Sequence, residues 1–277
     1  MNGQIQPNVI YGMYSGLALL MDVYTPNEPN GYGVLFISGS GWSAPLGFGS
    51  KPLKQSGQEQ VYAVPLTDAG YTTFVINHRV SPRFQYPDPI IDAQRAVRHI
   101  RHNADDYGIR PDRIGAVGGS SGGHLVLMLG CLPAPGDSES GDPLMGESGN
   151  VQCVVARAAP SNFLIDDQAS ERFLGCREPR DGDTLSEEYG IHRDASPINH
   201  VTSASPPTLL IHGEKDDIVD PNQSVVMHEA LKAAGVPTDH VVIPGGGHGA
   251  RFSGATEPVV DYVGRAISWM DQHLKAR

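Results

Sequence analysis

The stretch that decides the fold is IGAVGGSSGGHLVLML, residues 114–129. Ile114–Val117 is a short apolar run of the kind a buried strand shows, and His124–Leu129 reads as a buried helix. Between them Gly118-Gly119-Ser120-Ser121-Gly122-Gly123 turns the chain from one to the other. A serine at the apex of such a strand–turn–helix stands exposed above a sheet edge. Its neighbours two positions away on each side must be tiny, because the turn presses them together. The N–H that follows, at the start of the helix, is placed to bind an oxyanion. Two frames satisfy G-x-S-x-G: Gly118 to Gly122 makes Ser120 the nucleophile, and Gly119 to Gly123 makes it Ser121. Spacing leaves both open. The competing reading is a phosphate-binding glycine turn, but no Gly-Lys-Ser/Thr is present, and a dinucleotide turn would want G-x-G-x-x-G near the N-terminus.

The same rhythm runs outward on both sides. Upstream, Leu17–Tyr24 alternates, and Gly33–Ile37 and Thr72–Asn77 are apolar runs suited to buried strands. A helix is predicted around Gln58–Ala69, stopping at Gly70. Pro89–His102 places Ile90, Ile91, Ala93, Val97 and Ile100 on one helical face. Downstream, Val151–Ala159, Thr208–Ile211 and His240–Ile243 read as strands, and Pro221–Ala234 and Glu257–Leu274 as helices. Alternating strands and helices imply βαβ units. The expected fold class is therefore α/β, one domain over residues 1–277 with a mostly parallel central sheet flanked by helices. Two stretches break the rhythm, 133–150 and 166–194, both rich in polar and charged residues. They are expected to be small cap-like insertions near the active edge, too short and polar to build a deep apolar tunnel.

A serine nucleophile needs a base, and the base needs an orienting carboxylate. On hydrolase sheets these follow in the order Ser, Asp/Glu, His, on loops after later strands. Thr208–Ile211 runs into HGEKDDIV, residues 212–219, and His240–Ile243 into PGGGHG, residues 244–249. Of the 11 histidines, His248 alone sits in a glycine-rich loop just past the last strand, so it is expected to be the base. Asp216, Asp217 and Asp220 all remain candidates for the carboxylate. His212 is expected to support the turn, and His78, His99 and His102 to lie at the surface. Ser38-Gly39-Ser40-Gly41-Trp42, directly after an early strand, can turn backbone N–H groups toward the same oxyanion, with Trp42 expected to line the substrate pocket and core packing the alternative.

Composition narrows the classes. A formal charge of −11 with no Lys/Arg cluster argues against nucleic acid and anionic membrane as partners. Cys131, Cys153 and Cys176 make neither a disulfide framework nor a Cys-x-x-Cys metal pair. The N-terminus lacks a basic segment followed by an apolar one, and no run is long enough to span a membrane. A cytoplasmic location is expected, with secretion the alternative if a leader was removed.

Together these residues resemble the α/β-hydrolase fold. Within it they are similar to the hormone-sensitive-lipase-like carboxylesterases, closest to the bifunctional feruloyl and acetyl-xylan esterase branch. That branch carries HGGGW, GxSAGGHL, HGxxDxxVP and GxGHG. Here Ser38–Trp42, Gly118–Leu125, His212–Val219 and Gly245–Gly249 stand at matching positions, supported by Asp22–Pro26 and Ala195–Ile198. The resemblance implies that Ser120 is the nucleophile and Asp216 the triad carboxylate, with oxyanion donors on Ser40, Gly41 and Ser121. It departs from the pattern at Ser38, where the family has His, and at Ser40, where it has Gly, which leaves the bracing of that loop open. The implied function is a serine carboxylesterase acting on short-chain esters, acetyl or feruloyl, through an acyl-enzyme. The implied partner is a small-molecule ester, with no metal or organic cofactor. An arylformamidase-type amide hydrolase would share the triad. A non-catalytic binding protein on the same fold would be expected to lose a triad member, and here all three remain.

Overall fold

The computed structural model describes residues 1–45, 47–165 and 170–275. Among them one sheet is formed by β1 (Gly3–Tyr14), β2 (Leu17–Pro26), β3 (Gly33–Ile37), β4 (Thr72–Ile76), β5 (Ile114–Gly119), β6 (Cys153–Arg157), β7 (Thr208–Gly213) and β8 (Thr238–Ile243). The spatial order is β1-β2-β4-β3-β5-β6-β7-β8. β1 and β2 pair antiparallel to their neighbours, and β4 through β8 are parallel throughout. The helices are α1 (Ala63–Asp68), α2 (Asp88–His102), α3 (Ser121–Cys131), α4 (Glu187–Ala195), α5 (Asn222–Ala233) and α6 (Tyr262–Leu274).

The apolar runs become central strands because both of their faces are covered. In β3, Leu35 and Ile37 join the core beneath α2, α3 and α5, while Val34 and Phe36 join the core beneath α1 and α6. α3 is buried along almost its whole length, which explains an apolar run without an amphipathic stripe. On α2 the residues Ile90, Ala93, Val97 and Ile100 are fully buried as expected, each of the larger ones contributing ~1.5–3 kcal/mol by burial. Ile91 is not on that face: it falls one position off the stripe and is 47% exposed. No described helix is long and apolar enough to cross a membrane.

Other boundaries differ from expectation for local reasons. The 58–69 helix is a short 3-10 turn at Gln58–Gln60 followed by the two-turn α1. α6 begins at Tyr262 rather than Glu257, because the Asp261 carboxylate accepts the Gly264 N–H at 2.8 Å and caps the helix there. β1 was not anticipated. It is the sheet's edge and mostly exposed, so it carries no hydrophobic period; its only signal is Ser15-Gly16, which turns it into β2 with both residues at positive φ.

The two insertions part company. Residues 133–150 follow the end of α3, which runs away from Ser120, and they are pinned to α2 by Arg95–Asp142, Arg98–Glu147 O and Arg101–Asn150 O contacts. That stretch lies off the active edge, against the expectation. The described part of the second insertion, from residue 170 on, does follow the active end of β6; residues 166–169 of it lie outside the described residues.

Candidate active site

β5 delivers Ser120 to the carboxyl edge of the sheet at φ 53° and ψ −125°, a conformation of high backbone strain for a residue with a Cβ. The turn is tight enough to demand glycine. A Cβ on Gly118 would lie 2.3 Å from the Gly122 carbonyl oxygen, and one on Gly122 would lie 2.2 Å from that of Ile37. These are the two residues flanking Ser120 at two positions' distance, so the backbone contact that the motif encodes belongs to the Ser120 frame. Ser121 instead opens α3 and is fully buried.

The Ser120 hydroxyl lies 2.9 Å from His248 Nε2, and His248 Nδ1 lies 2.8 Å from Asp216 Oδ2 and 3.0 Å from Oδ1. Asp216 comes from the turn after β7 and His248 from the glycine loop after β8. The two loops are joined by backbone bonds from Glu214 N–H to Ile243 and from Lys215 N–H to Gly246. Burial would push the Asp216 carboxyl up. Hydrogen bonds from His212, His248 and the N–H groups of Val219 and Ile218 outweigh burial and hold it well below the usual carboxylate range. His212 supports the turn as expected: it is buried, 3.2 Å from Asp216 Oδ2, and bonded to Ser224 Oγ and the Val219 carbonyl. Neither Asp217 nor Asp220 bonds His248. Of the three supposed surface histidines, His78 is buried.

The oxyanion loop is braced by residues the motifs do not name. The Gln58 side chain clamps Gly39, accepting its N–H at 2.9 Å and donating to its carbonyl at 2.8 Å. Ser56 Oγ donates to Ser38 Oγ at 3.0 Å. The Ser40 N–H, expected to face the oxyanion, instead donates to Ser121 Oγ at 2.8 Å. The N–H groups of Gly41 and Ser121 find no acceptor among the described residues and are the donors left for an oxyanion.

Trp42, expected at the substrate pocket, is packed among buried aromatic rings. It is 4% exposed, stacked on Phe173 at 4.4 Å and packed edge-on to His124. Its Nε1–H donates to His124 Nδ1 at 3.1 Å, so His124 carries its proton on Nε2 and donates it to the Ala195 carbonyl at 2.8 Å. His124 thus ties the oxyanion loop to the end of α4. Burial pushes its pKa down to about 4, against a smaller upward pull from the Ala195 carbonyl.

Arg157 is the other residue that the motifs miss. It ends β6, is 3% exposed, and no described carboxylate pairs with it. Its Nη1 donates to the His248 carbonyl at 2.6 Å and to that of Gly249 at 3.3 Å, and its guanidinium lies over the Phe252 ring. The histidine loop is therefore held from below by a buried cation. A charged residue closing the apolar run CVVAR was the one available signal.

Comparison with known proteins gives the family and the fold. The BD-FAE family model matches residues 21–231, and the chain belongs to that family, the group its motifs resemble. Esterase LipQ of Mycobacterium tuberculosis is 32% identical over 212 residues, covering 72% of this chain and 49% of its own. Esterase LipC of the same organism is 30% identical over 257 residues, covering 87% and 59%. The chain thus spans about half the length of the curated relatives it matches. Among solved structures, a truncated carbohydrate esterase from gut microbiota superposes with a TM-score of 0.78 at 25% identity, over 99% of this chain and 98% of that one. An acetyl ester-xyloside bifunctional hydrolase from Caldicellulosiruptor lactoaceticus shares the fold, with a TM-score of 0.81 at 24% identity over 98% and 96%.

Proposed function

We propose that this chain is a serine carboxylesterase that hydrolyses short-chain esters, acetyl and feruloyl esters first among them, through an acyl-enzyme. The observation that carries the reading is the unbroken hydrogen-bonded line from Ser120 Oγ through His248 to Asp216. Membership of the BD-FAE family and the esterase relatives support it. Ser120 attacks the ester carbonyl while His248 Nε2 takes its proton. Asp216, kept ionised by its four donors, holds the imidazole tautomer and stabilises the imidazolium. The N–H groups of Gly41 and Ser121 bind the tetrahedral oxyanion, each such donor being worth roughly 10²–10³ in rate. His248 then protonates the leaving alcohol, and water repeats the cycle on the acyl group.

The segment from residue 170 to the end of α4 serves as the minimal cap. Phe173 supports Trp42, and the Tyr86 hydroxyl bonds the Asp194 carbonyl at 2.9 Å. A fluorophosphonate probe, followed by digestion and mass spectrometry, tests the reading together with 4-nitrophenyl acetate turnover. An adduct on Ser120 and turnover lost on labelling are expected. No adduct and no turnover would refute it.

A further inference from the structure

The chain is acidic, with 31 Asp and Glu against 20 Lys and Arg. Beside the oxyanion loop that balance reverses. A cleft of about 1220 Å³ opens there, bounded by Gly39 and Ser40 on one side and by the 43–45, 51–56 and 80–84 segments on the other. Lys51, Arg83 and Arg172 line it, and no acidic residue does so among the described residues. All three cations are exposed, and no described carboxylate pairs with any of them. Arg83 rests against the ring of Phe84, which with Leu53 gives the cleft an apolar floor. Ser40 Oγ, also in the lining, is buried without a partner. Gly39, in the cleft's lining, packs against the turn that carries the reacting serine: a Cβ on Gly39 would fall 2.8 Å from the Ser120 Cβ.

A folded chain with an acid excess gains nothing from leaving three like charges together around a concave surface, since they repel one another there. Their natural complement is a carboxylate on the bound molecule. We propose that this cleft selects esters that carry a carboxylate a few atoms from the scissile carbonyl, as in an acylated acidic sugar or the half-ester of a diacid. The inference rests on the esterase reading and names its substrate class. The three cations would hold the carboxylate while the apolar floor takes the ring or chain that joins it to the ester. In a chain of net negative charge the attraction is local and acts within about one Debye length, ~8 Å at physiological salt.

The test uses matched pairs. One pair puts the carboxylate on the acyl side, 4-nitrophenyl hemisuccinate against 4-nitrophenyl butyrate. The other puts it on the alcohol side, acetylated methyl glucuronide against acetylated methyl glucoside. The anionic member of at least one pair should show the higher kcat/KM, and the pair that responds identifies the side. In the triple variant Lys51→Gln/Arg83→Gln/Arg172→Gln that ratio should fall roughly tenfold. Added salt should erode the wild-type ratio in the same direction. Lys232→Gln, an exposed cation on α5, controls for net charge and should leave the ratio unchanged.

Ratios at or below one in both pairs, or a ratio that survives the triple substitution, would overturn the proposal while leaving the esterase reading intact. Binding is scored separately, by calorimetry with glucuronate against glucose on wild type and triple variant. Succinate against butyramide is titrated in the same way, and binding of neither anion above its neutral counterpart overturns the proposal even if no ester is cleaved, whereas failure of all turnover together with failure of Ser120 labelling overturns the esterase reading.

Discussion

Lowering the pH should weaken this protein through His124 well before its carboxylates protonate. His124 is fully buried between Trp42 and the Ala195 carbonyl, and its neutral form is the one that fits: Nδ1 must accept and Nε2 must donate. Burial takes its pKa from 6.5 to about 4. Above pH 6.5 both the folded and the unfolded chain hold the residue neutral, so its contribution is complete. As the pH falls below that value the unfolded chain takes up a proton that the folded one refuses, and stability drops by about 1.36 kcal/mol per pH unit. The loss levels off near pH 4, where the folded protein is protonated too, and totals about 3 kcal/mol. Asp216 has the opposite history. Its depressed pKa gives stability above the ordinary carboxylate range that is lost only at lower pH, so the two windows separate.

The measurement is urea unfolding at pH 7 and pH 5 for the wild type and for His124→Gln, which cannot titrate. Other histidines, the buried His78 and the half-buried His240 among them, also have lowered pKa values and weaken both proteins alike. Between those pH values the wild type should lose about 2 kcal/mol more than the variant, although the variant starts lower for want of packing and hydrogen bonds. If the variant does not fold, the indole N–H resonance of Trp42 supplies the answer. It should keep its position until the pH approaches the native pKa and then shift as its acceptor is lost. Equal pH losses in the two proteins, or an indole signal that titrates near pH 6.5, would refute the reasoning.

Four further outcomes are expected. Ser120→Ala should lower kcat by several orders of magnitude, as loss of a triad nucleophile does, measured with 4-nitrophenyl acetate. Ser121→Ala keeps the backbone donor but strands the Ser40 N–H, so kcat should fall by no more than roughly tenfold with KM little changed; a loss matching that of Ser120→Ala would show that the wrong serine was chosen. Arg157→Met removes the donor to the His248 carbonyl and should cost roughly 10² in kcat at near-constant KM, with Arg157→Lys recovering part of it; full activity in the methionine variant would show that the loop holds itself. Across 4-nitrophenyl esters, kcat/KM should be highest from acetyl to butyryl and poor beyond about eight carbons, since each methylene gains only ~0.8 kcal/mol and only if buried; a rise that continues to long chains would count against a cation-lined cleft as well.

The parts legible in the sequence are those that backbone geometry forces on residue type. β3, β4 and β5 announce themselves because a strand covered on both faces must be apolar throughout. Gly118 and Gly122 are legible for a similar reason: the space at each is taken by main-chain atoms, so no side chain can substitute. His248 follows from order along the chain, because it occupies the loop after the last strand; order brings Asp216, Asp217 and Asp220 alike to the loop before it, and only the family's DxxV spacing singles out Asp216. β1 escaped since an exposed edge strand imposes no period on its sequence. Trp42 stayed open between substrate and core because an aromatic residue after such a loop can point toward either, and the ring it stacks on, Phe173, lies far along the chain.

What stayed hidden is the bracing, because it depends on which donor meets which acceptor across long separations. The family histidine is Ser38 here, and on motif grounds that substitution looks like a loss. In the fold three sets of contacts hold the loop. Gln58 clamps Gly39 from both sides, Ser56 engages Ser38, and the Ser121 hydroxyl takes the Ser40 N–H. The last is the instructive one. Ser121 stands where the family pattern has alanine, and its hydroxyl is what made the two G-x-S-x-G frames indistinguishable by spacing. That hydroxyl is fully buried and faces the oxyanion loop, 2.8 Å from the Ser40 nitrogen, while the Ser120 hydroxyl faces His248. The second serine is thus ambiguous in the motif for the same reason that it is useful in the fold. With alanine there, the loop that lost its histidine would also lose one of the bonds that hold it against α3.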